Sequence, residues 1–107
     1  MEYGYIRSAT KDRDSLEEQR RILNSYGVVN IIEEKEKTDL KDLLDRLQAG
    51  DILRVTSAER LSRDIMEYAK ILNYAGEKGI IIYAGTFPLV PHHIDIDEIL
   101  KEAKYVL

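Results

Sequence analysis

Apolar and polar positions along the chain change period repeatedly, from the two-residue alternation of strands to the three- and four-residue spacing of amphipathic helices. Tyr3–Ile6 is a short β-prone run. Ser15-Leu16-Glu17-Glu18 has the form of a capping box, with Ser15 at the cap and Glu18 reaching back. Leu16, Leu23 and Tyr26 share one face of the helix expected there, and Gly27 stops it. Val28–Glu33 is a second apolar, β-branched run. Leu40, Leu43, Leu44 and Leu47 then fall at i, i+3, i+4 and i+7, which predicts an amphipathic helix ended by Gly50. Ile52–Thr56 reads as a third strand.

Ser62 is placed to cap a third helix whose inward positions are Ile65, Ala69, Leu72 and Ala75, with Gly79 closing it. Ile80–Tyr83 follows as the fourth and most apolar strand. Pro88 and Pro91 mark a loop. Asp95 with Glu98 opens a last helix carrying Ile96, Ile99, Leu100 and Ala103 inward. Nearly continuous apolar strands alternating with helices predict an α/β fold, a three-layer open and mostly parallel sheet with helices on both faces. There is no repeat and no composition break, so residues 1–107 are expected to form one domain.

Composition narrows the function classes. The charged fraction of 34% describes a heavily solvated surface. The absence of cysteine excludes disulfides and thiolate chemistry and fits a cytoplasmic protein. No apolar run approaches the roughly 18 residues of a membrane span, and the start MEYGYIRS lacks a signal-peptide pattern, so no membrane partner is expected. A net charge of −4 makes the whole chain a poor autonomous DNA binder. Contact with nucleic acid needs a local cluster of cations or a separate module.

Such a cluster has a natural place. In open α/β sheets, ligands bind beyond the carboxyl ends of the strands, near the point where strand order reverses. Arg7, Ser8, Ala9 and Thr10 follow the first strand; Arg60 and Arg63 follow the third. These two strands flank the switch point in a flavodoxin-like order. Arg60 and Arg63 share a face if that stretch is helical, and the helix start at Ser62 favours an anion. Guanidinium groups hold phosphate through paired donors, so Arg7, Arg60 and Arg63 are the candidate phosphate site. The competing reading is of surface arginines paired with Glu33, Glu34 or Glu59.

The segments GYIRSAT, SLEEQRRIL and GDILRVTSAERLSRD together resemble the N-terminal catalytic domain of the serine recombinases, the resolvase/invertase family. The third segment is the most specific, because its two arginines fall at matching positions. The resemblance covers most of residues 3 to 84 and implies a resolvase-like fold. It also implies cleavage of DNA by a serine at the end of the first strand, through a 5′-phosphoserine link that frees a 3′ hydroxyl. No metal or nucleotide cofactor is implied. Arg7, Arg60 and Arg63 would clamp the phosphate, with Tyr5 and Gln19 supporting them, and DNA and a second recombinase subunit are the implied partners.

Several positions depart from the family pattern. The nucleophile position holds Ala9, so cleavage is expected to be lost or crippled. Ser8 is the first substitute hydroxyl and Thr10 the second; strand alternation turns Ser8 away from Arg7 and Ala9. The family's aspartate is replaced by Glu59, and Lys37 stands nearest the place of a further arginine, without its bidentate geometry. The family's long interface helix and helix-turn-helix domain find no counterpart in this sequence. Two other readings stand beside a recombinase domain: a non-catalytic module that pairs with an active recombinase, and an unrelated phosphate-binding α/β domain. The second lacks a Gly-rich strand–helix loop. His92-His93 read as a solvated loop rather than metal ligands, the seven tyrosines as packing rather than base stacking, and Glu33–Lys37 as an exposed turn.

Overall fold

Backbone chirality and the alternation of the sequence settle a five-stranded sheet in the order β2-β1-β3-β4-β5. The computed structural model of the chain describes residues 1–8 and 13–89, with backbone alone at residues 13 and 14. In chain order the elements are β1 (Glu2–Ile6), α1 (Arg13–Ser25), β2 (Asn30–Glu33), α2 (Asp39–Arg46), β3 (Ile52–Val55), a 3-10 turn (Ala58–Arg60), α3 (Ile65–Lys78), β4 (Ile81–Ala84) and β5 (Phe87–Leu89). Strand β1 pairs in parallel with both β2 and β3, β3 with β4 in parallel, and β5 closes the edge antiparallel to β4. The fold is α/β, as the periodicity implies. Ala9, Thr10, the His92-His93 loop and the helix expected over 95–106 lie outside the described residues.

Alternating side chains divide the core between the two faces of the sheet. Tyr5, Leu53, Val55 and Ile82 pack under Leu40, Leu43, Leu44 and Leu47 of the α2 region and under Leu72 and Ala75 of α3. On the opposite face, Ile6 packs with Leu23 and Val28 beneath α1, with Leu16 and Ile31 against them. Lys78 near the end of α3 donates to the carbonyls of Leu44 and Asp45 at 2.7 and 2.9 Å. It thereby satisfies two end-of-helix acceptors of α2 and fixes the two helices side by side. The hydroxyl of Tyr74 adds a bond to Asp45 across the same seam.

Five local expectations are corrected. Helix α1 begins at Arg13, so Ser15 lies inside the first turn, and its hydroxyl serves Gln19 and Arg60 instead of a cap. The cap of α3 is Asp64, which accepts from the N–H of Met66 at 2.9 Å; the Ser62 hydroxyl accepts from the N–H of Asp64. Ile65 then projects at the outer start of the helix and is 57% exposed, while Tyr26 lies in the turn after α1, also exposed. Pro88 sits within β5 opposite Tyr83, where an edge strand tolerates the missing N–H. Gly79 does close α3, with φ +77° and its N–H on the carbonyls of Ala75 and Gly76. Among the described residues, no helix is long and apolar enough to cross a membrane.

Two consequences are measurable. A Cβ at Gly4 would stand 2.8 Å from Leu23 Cδ1, 3.1 Å from Val28 Cγ1 and 3.3 Å from Ile31 Cγ1. These neighbours are packed beneath α1, so Gly4→Ala is expected to destabilise the domain by about 1–3 kcal/mol, read as a lower denaturant midpoint. Asp39 accepts from the backbone N–H of Glu36 at 2.9 Å and of Lys35 at 2.7 Å, which holds its carboxyl below the ordinary range. A depressed folded-state pKa contributes stability that is present above the unfolded value near about 4 and is lost as pH falls through the lower folded value. Asp39→Asn should therefore lower the melting temperature at neutral pH, and the gap to the unmodified chain should close as the pH drops below that range.

Candidate functional site

The carboxyl ends of β1, β2 and β3 bring Arg7, Glu34 and the 3-10 turn together. Beyond β1 the ladder continues by one bond, from the N–H of Glu34 to the carbonyl of Ile6 at 2.9 Å. The backbone of Arg7 is then taken over by Gln19, reaching in from α1. Its Oε1 accepts from the N–H of Arg7 at 3.2 Å, and its Nε2 donates to the carbonyl of Arg7 at 2.9 Å and to Ser15 Oγ at 3.2 Å. Gln19 is 2% exposed. A buried amide left without partners costs about 1–3 kcal/mol, so this carboxamide stands where a neighbouring strand would otherwise be needed.

Arg60 joins the same knot. Its Nη1 donates to the carbonyl of Arg7 at 3.3 Å and its Nη2 to Ser15 Oγ at 3.2 Å. Arg7 reaches in the other direction, with Nη1 on the carbonyl of Leu61 at 3.4 Å and Nε 3.5 Å from a carboxylate oxygen of Glu34. The Nε atoms of both arginines are buried with no hydrogen-bond partner among the described residues. The other oxygen of Glu34 accepts from the hydroxyl of Tyr5 at 2.5 Å. Burial, and then the adjacent carboxylate, push the Tyr5 phenol far above its ordinary range, so it remains a donor.

Arg7 also lines a cleft of about 290 Å³ with Glu34, Lys37, Leu40, Leu61, Ser62, Arg63, Asp64 and Glu67. Three cations (Arg7, Lys37, Arg63) thus face three carboxylates (Glu34, Asp64, Glu67) across one opening. Such a cleft suits an anion that arrives held in register and can complete the guanidinium donors. It suits a freely diffusing anion less, because the carboxylates repel it.

The sequence-based residues divide accordingly. Arg7 and Arg60 share the carbonyl of Arg7, while Arg7, Lys37 and Arg63 share the cleft. Arg60 and Arg63 do not share a helical face, because the 3-10 turn ends at Arg60: Arg60 turns inward and Arg63 is exposed. Glu59 is exposed and lines a neighbouring shallow groove with Ser62 and Arg63. Ser8 is half-buried beyond the end of β1, so strand alternation does not by itself set its direction. Of the suggested arginine–glutamate pairs, Arg7–Glu34 forms. Arg54, in the middle of β3, stands apart from the cluster, tied to Glu2 at 2.9 Å and lying over the ring of Tyr83.

Two participants carry a different reading in the sequence from the part they take in the site. Glu34, the first residue past β2, reads in the sequence as one of three possible surface partners for an arginine within an exposed turn; its bond from Tyr5 has no sequence signal. Ser15 carried a helix-cap signal that concealed its contacts with Gln19 and Arg60. Among the described residues, no group of three His, Asp or Glu side chains is arranged to hold a metal ion.

Comparison with known proteins identifies the family. The family described as "Resolvase, N terminal domain" matches residues 2–98. The serine recombinase Gin of Escherichia phage Mu is 34% identical over 86 residues, a match covering 75% of this chain and 44% of that protein. Its counterpart from Escherichia phage D108 is 34% identical over 86 residues, covering 75% of this chain and 43% of that protein. The chain therefore spans less than half the length of these curated relatives. With nearly its whole described length inside the family match, the chain belongs to the resolvase N-terminal domain family.

Proposed function

We propose that the chain is the catalytic-domain part of a site-specific DNA recombinase, a single domain over residues 1–107 that holds a DNA phosphodiester at the Arg7–Arg60 cluster and is impaired in cleavage. The observation that carries this reading is the pair of buried guanidinium Nε groups at the end of β1 left without hydrogen bonds among the described residues. Buried N–H groups are rarely left so, and a phosphate oxygen is the partner that satisfies them best. DNA presents its phosphate already fixed in a strand, which suits a cleft whose carboxylates discourage free anions.

The roles follow from position. Arg7 and Arg60 neutralise charge on the phosphate and Arg63 and Lys37 approach from the open side. Gln19 and Ser15 position the two arginines, and Tyr5 holds Glu34 beside Arg7. In the family's chemistry a serine oxygen bonds to phosphorus, the bond to the 3′ oxygen breaks, and the departing oxygen takes up a proton. No metal or nucleotide cofactor enters these steps. A methyl group at Ala9 has no lone pair for the attack. A second reading, a non-catalytic module that pairs with an active recombinase, is favoured by Ala9 together with the Arg7–Glu34 ion pair, which occupies one clamp internally. The first reading takes a homodimer as its simplest partner arrangement, the second an active recombinase subunit.

The deciding experiment incubates the protein with supercoiled DNA carrying its native flanking sequence and looks for protein attached covalently to 5′ ends. The unmodified chain is expected to give no adduct and Ala9→Ser to gain one. In the Ala9→Ser background, Arg60→Ala should reduce adduct formation by about 100-fold or more. An adduct from the unmodified chain that disappears with Ser8→Ala would overturn the assignment of Ala9. Failure of Ala9→Ser to form any adduct would favour the interaction module.

A further inference from the structure

Next to the anion cleft, a shallow groove of about 450 Å³ runs along the start of α3. The two openings share Ser62 and Arg63, so they are continuous along one wall. Their chemistry differs. The cleft gathers Arg7, Lys37 and Arg63, whereas the groove sets Ala58, Ile65 and Tyr68 beside one cation, Arg63, and one carboxylate, Glu59. Ile65 is 57% exposed, and among the described residues it is the one large apolar side chain exposed on a helix. Its position follows from the cap: Asp64 accepts from the N–H of Met66, which fixes the first turn and leaves Ile65 outside the core. Tyr68, three residues on along the same side of the helix, is half-buried and packs against the core cluster. Burial raises its phenol above the ordinary range, so it stays uncharged.

The groove is not a second phosphate site. The Asp64 carboxylate already occupies the start of α3, where an anion would otherwise be drawn. What fits there is an uncharged, flat group with an apolar face. A phosphodiester held at Arg7 and Arg60 carries such a group on either side, one sugar away. We propose that the groove is a nucleobase subsite, in which the base next to the held phosphate lies against Ile65 and Tyr68. Arg63, exposed where the two openings meet, then covers the link between base and phosphate. Every base has a π-face, so stacking on a tyrosine tolerates sequence, and isoleucine is among the side chains that pack into opened base steps. The subsite rests on the reading of the arginine cluster as a phosphodiester site, and it adds the direction in which the strand leaves that cluster.

The test is an NMR titration of the full chain with a thymidine tetranucleotide and with the same backbone stripped of its bases. The unmodified chain is expected to bind the first about tenfold more tightly, the worth of about one stacked base. Ile65→Ser and Tyr68→Leu should each cut that preference by about threefold or more, with affinity for the baseless backbone and circular dichroism unchanged. Ile65 is exposed, so serine there leaves the core intact. Arg60→Ala should weaken both ligands alike. Equal affinity of the unmodified chain for the two ligands, or a preference that survives both substitutions, would overturn the subsite. Sensitivity of both ligands to Arg60→Ala would in that case leave the phosphodiester reading standing. Binding of neither ligand, or binding indifferent to Arg60→Ala, would overturn that reading and the subsite with it.

Discussion

A single buried carboxamide holds the working end of this domain in shape. The first strand runs out at Ile6, and Arg7 would lie there with a bare N–H and carbonyl just where a ligand has to approach. Gln19 satisfies both groups from the opposite layer and passes its remaining donor to Ser15, which in turn accepts from Arg60. Positions on β1, on α1 and on the turn after β3 are thereby made one unit. Any force that moves α1 relative to the sheet moves the two arginines as well. The restriction on Gly4 belongs to the same arrangement, since α1 lies close on β1 only because that residue has no side chain.

The electrostatics of the cluster are unusual for an anion site. Two guanidinium groups are half-buried with unfilled donors, yet one is already 3.5 Å from a carboxylate, and two further carboxylates share the opening. Burying a cation is expensive, and Glu34 supplies the counter-charge that lets Arg7 sit at the core's edge without a ligand. Tyr5 keeps that counter-charge in place. On the proposed reading, the same contact lowers the attraction for small free anions and leaves a phosphate held in a larger, oriented molecule as the better fit.

Helices α2 and α3 pack side by side on the face of the sheet opposite α1. Leucines of α2 and the small residues of α3 allow close packing, and Lys78 binds their ends together. Their outer seam nevertheless leaves an apolar hollow ringed by lysines, beside the arginine cleft but built from different residues. Lys37 belongs to both openings, so occupation of one bears directly on the charge balance of the other.

Much of this was legible in the sequence, for a physical reason. Period and punctuation are local properties, so the α/β alternation, the stripe Leu40–Leu43–Leu44–Leu47 and the stop at Gly79 could be read directly. The strand-end rule then located Arg7, Arg60 and Arg63, and the resemblance pointed to the family that the comparison shows. Which hydroxyl meets which partner was beyond such reading: Ser15 showed a cap signal, Glu34 was one of three possible arginine partners with no sign of Tyr5 beside it, Pro88 suggested a loop, and Ile65 fitted a stripe it does not join. Those outcomes were set by partners distant along the chain, with Arg60 45 residues from Ser15 and Glu34 29 residues from Tyr5. A side chain's propensity is fixed by its own neighbours in sequence, whereas its partner is fixed by whichever unsatisfied group the folded sheet brings within reach.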